Sequence, residues 1–205
     1  MDGSTPLGHY CPFPGRVRTR FFSSAAILMA GSCLFALGLN AAPPPGSIGK
    51  GPVGWDSYRR LDLLPSIRSG VETRDLDSTD PAQGNADFDH PFRTTSDGQF
   101  VIAEANGPGE IVSIWSTIGG PAGGGDVTND GNITIQLDGK TVLSTNYESL
   151  VSGALGAPFV WPLVGNFRDT SGGAEIKVPM PFTKSMLVTV QGNPDYFHVI
   201  YRQFN

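Results

Sequence analysis

From about residue 97 onward, apolar and polar positions alternate with a period of two. The clearest case is Asn132 to Asp138, where Ile133, Ile135 and Leu137 share one face and Thr134, Gln136 and Asp138 take the other. The same pattern predicts strands over Gln99 to Glu104, Glu110 to Thr117, Lys140 to Thr145, Glu175 to Pro181, Ser185 to Gln191 and Tyr196 to Phe204. In the second of these, alternation sets Val112 and Ile114 against Ile111, Ser113, Trp115 and Thr117. Turn chemistry separates the runs. Asn106-Gly107-Pro108-Gly109 makes a fixed corner, and Asp138-Gly139 is a strong hairpin signal. Pro179 and Pro181 place their strand at an edge or end it early. Residues 146–174 read mostly as loop, anchored by Phe159, Trp161, Leu163 and Phe167. The expected fold is all-β, an antiparallel β-sandwich of jelly-roll type over residues 97–205. The final strand runs to the end of the chain, which reads as a sandwich truncated at its C-terminus.

The pattern before residue 97 is different. Arg16, Arg18 and Arg20 precede an apolar run from Phe21 to Ala42 that ends in small residues, so residues 1–42 read as a signal peptide. The rival reading is an uncleaved membrane anchor, since the run is long enough to span a bilayer. Either reading makes the chain an exported one, periplasmic, secreted or held at the cell surface, with the membrane met only through this segment. Residues 43–54 form a Pro/Gly linker. Residues 55–96 read as irregular. A short helix is expected over Tyr58 to Ser69 with Leu61, Leu64 and Ile67 on one side, limited by Pro65, and Arg74 to Arg93 reads as a long polar loop.

Composition narrows the function classes. Hydrophobic residues make up 39% and charged residues 16%, which excludes both an acidic disordered tail and a membrane bundle. The 27 glycines and 17 prolines fit a turn-rich β protein. The net charge is −5, and the basic N-terminal segment leaves the remainder more acidic still, so nucleic acid is not an expected partner. Cys11 and Cys33 both lie in the N-terminal segment, so the folded part has neither a disulfide framework nor a Cys-ligated metal.

Candidate chemistry concentrates in the polar loop, with Asp77, Asp80, Asn85, Asp87, Asp89, His90 and Arg93. Paired carboxylates can do acid–base work on a glycoside, but Asp and Asn also fold loops by bonding their own backbone. Asp126, Thr128, Asp130 and Gly131 match the opening of a calcium loop. Leu137 stands where the closing acidic ligand belongs, so no metal is expected. Trp55, Trp115, Trp161, Tyr147 and Tyr196 offer rings to a sugar or to the core. No Ser/His/Asp set, phosphate loop or dinucleotide fingerprint is present, and no cofactor is expected.

Several segments together resemble a known family. They are Ser78 to Asp87, Gly107-Pro108-Gly109-Glu110-Ile111-Val112-Ser113-Ile114-Trp115-Ser116-Thr117, Ile133 to Gly139, Pro179-Met180-Pro181-Phe182-Thr183-Lys184-Ser185, and Tyr196 to Arg202. In order and spacing they resemble the N-terminal half of the domain of unknown function 2961 family, which includes glycoside hydrolase family 172. The resemblance implies a jelly roll, two such units in a complete member, and homo-oligomers built on trimers. It also implies retaining hydrolysis of furanosides such as α-D-fructofuranosides or D-arabinofuranosides by two glutamates. In the family both glutamates belong to the second half, one in a Gly-Thr-Gly-Thr-Glu-Asp-Tyr motif that this sequence lacks. The resemblance therefore implies no catalytic residue here and no activity for the chain alone. Glu110 reads as structural, and no role passes to Glu104, Glu148 or Glu175. The place where this half would reach a carbohydrate is the loop with Asp80, Asn85 and Asp87. The alternative reading is a non-catalytic carbohydrate-binding or assembly module.

Overall fold

The computed structural model describes residues 50–117 and 127–205. Residues 1–42, read above as a signal peptide or anchor, most of the Pro/Gly linker and Asp126 lie outside them. Among the described residues no helix is long and apolar enough to cross a membrane.

Alternation does produce strands. They are β1 (Val71–Asp77), β2 (Arg93–Thr94), β3 (Phe100–Asn106), β4 (Gly109–Thr117), β5 (Asn132–Leu137), β6 (Lys140–Asn146), β7 (Val164–Gly165), β8 (Ala174–Ile176), β9 (Met180–Phe182), β10 (Ser185–Val190) and β11 (Tyr196–Phe204). One sheet runs β1-β11-β4-β8-β7, with β9 also paired to β4, and the other runs β2-β3-β10-β5-β6. The pairings are antiparallel. β8 and β9 lie along one edge of β4, at Ile114 to Ser116 and at Gly109 to Ile111. They act as one strand broken at 177–179, where Pro179 and Pro181 cannot donate to a ladder. With that strand counted once, the two orders are those of a jelly roll. The all-β sandwich expected from the sequence is the fold found.

The core lies between the sheets, with Ile102, Ile114, Ile133, Ile135, Phe197 and Val199 among its fully buried members. The helix α2 (Tyr147–Val151) closes part of it. The Asn146 side chain caps α2 by accepting from the Ser149 N–H at 2.9 Å, and Tyr147, Leu150 and Val151 turn inward. The Tyr147 hydroxyl pairs with Ser116 Oγ at 2.8 Å, so that neither buried oxygen is left unsatisfied. Burial drives the Tyr147 phenol far above its usual pKa, keeping it a neutral hydrogen-bonding group.

Three local features depart from the sequence expectation. In β4 it is Ile111 and Ile114 that share the core face, not Val112 and Ile114. Ser113 pairs with Ile200 and Ile111 with Tyr201, so Val112 is an extra residue in a β-bulge that resets the alternation. The helix expected over 58–69 is only α1 (Asp56–Arg59) and a 3-10 turn at Leu61–Leu63. Pro65 disfavours continuation, Leu63 turns inward, and Leu61, Leu64 and Ile67 are 59%, 70% and 81% exposed. The sandwich also takes in residues read as irregular, since β1 and β2 both precede residue 97.

Two glycines hold the corner for a reason other than backbone freedom. Neither Gly107 nor Gly109 has a positive φ. A Cβ at Gly109 would lie 2.6 Å from Phe182 Cζ and 2.7 Å from the Arg202 carbonyl, and one at Gly107 would lie 2.8 Å from the Phe182 ring. Phe182 closes on the corner, and only glycine leaves room for it. At the other turn, Asp138 and Gly139 both have positive φ, as a tight hairpin requires. The Asp138 carboxylate accepts from the backbone N–H groups of Thr183, Lys184 and Ser185, at 2.6 Å from Lys184 N, and from Thr183 Oγ1. These bonds hold its pKa down at about 2 and tie the β5–β6 hairpin to the β9–β10 corner.

Residues 50–68 form a strap across the outer face of the β1-β11-β4 sheet. It is pinned by the Gly54 N–H bonded to Glu110 Oε1, by Arg202 Nη1 bonded to Ser57 Oγ at 3.0 Å, and by the Tyr58 hydroxyl bonded to the Lys177 carbonyl at 2.7 Å.

Candidate functional site

The polar loop leaves β1 at Ser78 and enters β2 at Arg93. Both ends are fixed to the sandwich. The Ser78 N–H bonds to the Phe197 carbonyl at 3.2 Å, and the Phe92 N–H to the Val101 carbonyl at 3.0 Å. In between, Asn193 Nδ2 bonds to the Phe88 carbonyl at 2.9 Å, joining a 3-10 turn at Asp87–Asp89 to the β10–β11 connection.

Asp80 is the organiser of this loop. It is only 7% exposed, and its two oxygens accept from the backbone N–H groups of Ala82 at 2.8 Å and Gly84 at 3.0 Å. Its own N–H bonds to Asp87 Oδ1 at 2.8 Å. His90 Nε2 stands 3.5 Å from Asp80 Oδ1, within ion-pair range when the imidazole is protonated. Asp80 and Asp87 are thus brought together, but each bonds backbone, as loop-forming aspartates do. Asn85 is exposed, and Phe88 and Phe92 are about half exposed, at 48% and 49%. What the loop can offer a ligand is the Asn85 amide, the second Asp87 oxygen and two phenyl rings. The Asp80 carboxylate is spent on the loop itself.

A second constellation was hidden by the irregular reading of residues 74–93. Asp77 lies directly opposite His198 across β1 and β11, and Asp75 is two residues before it on the same face. His198 Nδ1 and Asp75 Oδ2 are 2.9 Å apart, and the His198 ring meets Trp115 on β4 at 5.8 Å between centroids. Ligand atoms of Asp75, Asp77 and His198 lie within 4.8 Å of one another. Asp77 Oδ1 already accepts from the Thr79 N–H, and its pKa is lowered by the Thr79 hydroxyl first and by that N–H as well. A glycosidase general acid needs a raised carboxyl pKa, so Asp77 is shifted the wrong way for that role. The signal that would have found this group is the alternation Asp75-Leu76-Asp77 facing His198-Val199, once 71–77 is read as a strand.

The glutamates occupy separate settings. Glu104 pairs with Arg93 at 2.9 Å and Glu175 with Lys177 at 2.7 Å, both at the surface. Glu148 sits in the first turn of α2. Glu110 is fully buried under the strap, where it accepts from Gly54 and lies 3.2 Å from Arg202 Nη1. Burial raises its pKa against the opposing pull of the Gly54 N–H and of Arg202 and Arg68. Its contacts are those of a structural clamp.

Comparison with protein-family models gives a match to the GH172 first beta-sandwich domain over residues 68–205. Comparison with curated proteins returns no match. The match starts three residues before β1 and ends with the chain, so it spans the whole sandwich, including the polar loop and the buried Glu110. This chain therefore belongs to glycoside hydrolase family 172, and residues 68–205 are a first β-sandwich domain of that family.

Proposed function

We propose that this chain is the first sandwich of an exported furanoside-cleaving hydrolase, of the α-D-fructofuranosidase or D-arabinofuranosidase type. In this reading the described residues bind and position rather than react. The observation that carries it is the family match over the sandwich, joined to the setting of its carboxylates. Retention needs a nucleophilic carboxylate and a carboxyl kept protonated, about 5 Å apart. Glu110, whose pKa is raised, is locked beneath the strap, and Asp80 is bonded to its own loop. The reacting glutamates would belong to a second sandwich, with the chain assembling in a trimer-based oligomer around the carbohydrate. Asn85 and Asp87 would then meet the sugar, and Asp80 would hold the loop that carries them.

The test uses the chain alone and p-nitrophenyl α-D-fructofuranoside and arabinofuranosides as probes. The expected result is no turnover above the buffer rate and weak sugar binding that Asn85→Ala diminishes. Turnover by the purified chain would overturn the division of labour. A second reading, a non-catalytic carbohydrate-binding module, draws on the ring pair of half-buried Trp115 and His198 beside Asp75 and Asp77 on the outer sheet face. It predicts that Trp115→Ala abolishes sugar binding while Asn85→Ala leaves it unchanged.

A further inference from the structure

Beneath the strap, a cleft of about 290 Å³ opens between the segment 63–68 and the sheet, with Leu64, Ile67, Arg68, Val71, Thr73 and Arg202 on its walls. Thr73 and Arg202 are cross-strand partners on β1 and β11, so the hydroxyl and the guanidinium rise side by side from the floor. Arg68 enters from the strap. Ser66 adds a second hydroxyl.

Among the described residues the charge count in this corner does not close. Arg202 and Arg68 face one carboxylate, Glu110. Neighbouring acids are committed elsewhere: Glu72 to Arg74 at 2.7 Å, Asp62 to Arg60 at 2.9 Å, and Asp75 to His198. Arg68 is half-buried. Burial and the nearby Arg202 both lower its pKa, and only Glu110 acts the other way. Two guanidinium groups therefore share one counter-ion at the wall of a cleft, in a protein whose net charge is −5. Each guanidinium carries five N–H donors. The bonds described are Arg68 Nη1 to the Pro52 carbonyl at 3.3 Å, and Arg202 Nη1 to Ser57 Oγ and toward Glu110.

We infer that this cleft is a binding site for a small monocarboxylate with an apolar body. One negative charge balances the surplus, and a carboxylate matches the planar fork of a guanidinium. The Thr73 and Ser66 hydroxyls are placed to donate to the same group. Leu64, Ile67 and Val71 offer the apolar wall that a short aliphatic chain or the carbon face of an acidic sugar would cover. Leu64 and Ile67 are among the most exposed apolar side chains of the described residues, and such a ligand would remove part of that surface from water. The site is separate from the polar loop and does not depend on the hydrolase reading.

The test is an NMR titration of the 15N-labelled chain with sodium butanoate, with butanamide and inorganic phosphate as parallel arms. The expected result is saturable shifts at the Arg68, Thr73 and Arg202 amides with butanoate, and none with butanamide. Phosphate should bind more weakly, because it has no apolar body to cover Leu64, Ile67 and Val71. Arg68→Gln should weaken butanoate at least about tenfold, the loss of one charge-assisted contact. Thr73→Asp, at an exposed strand position, places a competing charge in the cleft and should abolish binding with the melting temperature retained. Three outcomes would each overturn the assignment: no saturable shift, equal shifts with butanamide or phosphate, or full binding by either variant.

Discussion

Asp138 and Glu110 show how one functional group serves opposite electrostatic ends. Asp138 is at the surface, and backbone N–H groups stabilise its anion, so its pKa falls from 3.8 to about 2. A carboxyl with a lowered pKa adds stability that is present above the ordinary aspartate value and is lost as pH falls through the lowered one. Asp138→Asn tolerates the positive φ but accepts those N–H groups more weakly. Thermal melts at neutral pH should show the variant less stable, and the difference should close as pH is lowered to about 2. Glu110 runs the other way. Its raised pKa means that the folded chain binds the proton more readily than the unfolded one. The stability it confers is complete below the ordinary glutamate value and declines as pH rises through the raised one. Glu110→Gln keeps an acceptor for the Gly54 N–H and removes that decline. Chemical denaturation should show Glu110→Gln gaining on the wild type as pH rises above the ordinary glutamate range. Glu110→Ala instead leaves Gly54 and Arg202 without their partner and should cost roughly 3 kcal/mol.

Elements were legible where one face of a strand meets the core and the other meets water. The alternation in β5 and the proline break between β8 and β9 both reappear in the structure. β1 was not legible, because Val71-Glu72-Thr73-Arg74-Asp75-Leu76-Asp77 is polar on both faces. It is an edge strand paired only to β11 among the described residues, and charged side chains are how such an edge avoids pairing with another chain. The bulge at Val112 was hidden for a different reason. A run of apolar residues fits either alternation, and the choice is made by the partner strand. The Gly107–Gly109 corner was placed correctly, but its cause is contact: Phe182 and the Arg202 carbonyl occupy the space a side chain would need. Gly109→Ala should therefore cost about 1–3 kcal/mol by overpacking, measurable as a shift in the denaturation midpoint at constant m-value.

At the scale of the molecule, the jelly roll was legible and the strap was not. Its apolar residues suggested a helix packed by Leu61, Leu64 and Ile67, yet it is Leu63 that packs. The sequence singled out the loop with Asp80, Asn85 and Asp87 as a candidate, whereas the way Asp80 holds the loop's backbone became clear only from its bonds. The strap is held by a few polar contacts, to Glu110, Arg202 and the Lys177 carbonyl. β11, by contrast, is hydrogen-bonded on both sides, to β1 and to β4. A layer attached so sparsely should open without the sandwich unfolding, since local openings cost less than the global transition. Native-state hydrogen exchange reads this directly. The Tyr58, Arg60 and Leu63 amides should exchange by local opening that denaturant hardly affects, while those of Val199 and Tyr201 should exchange only through global unfolding. Glu110→Ala should speed the strap amides more than its global destabilisation accounts for, because it removes the bond to Gly54. If strap and β11 amides instead share one opening free energy, the strap is an integral layer of the sandwich. Release of Glu110 would then unfold the whole domain.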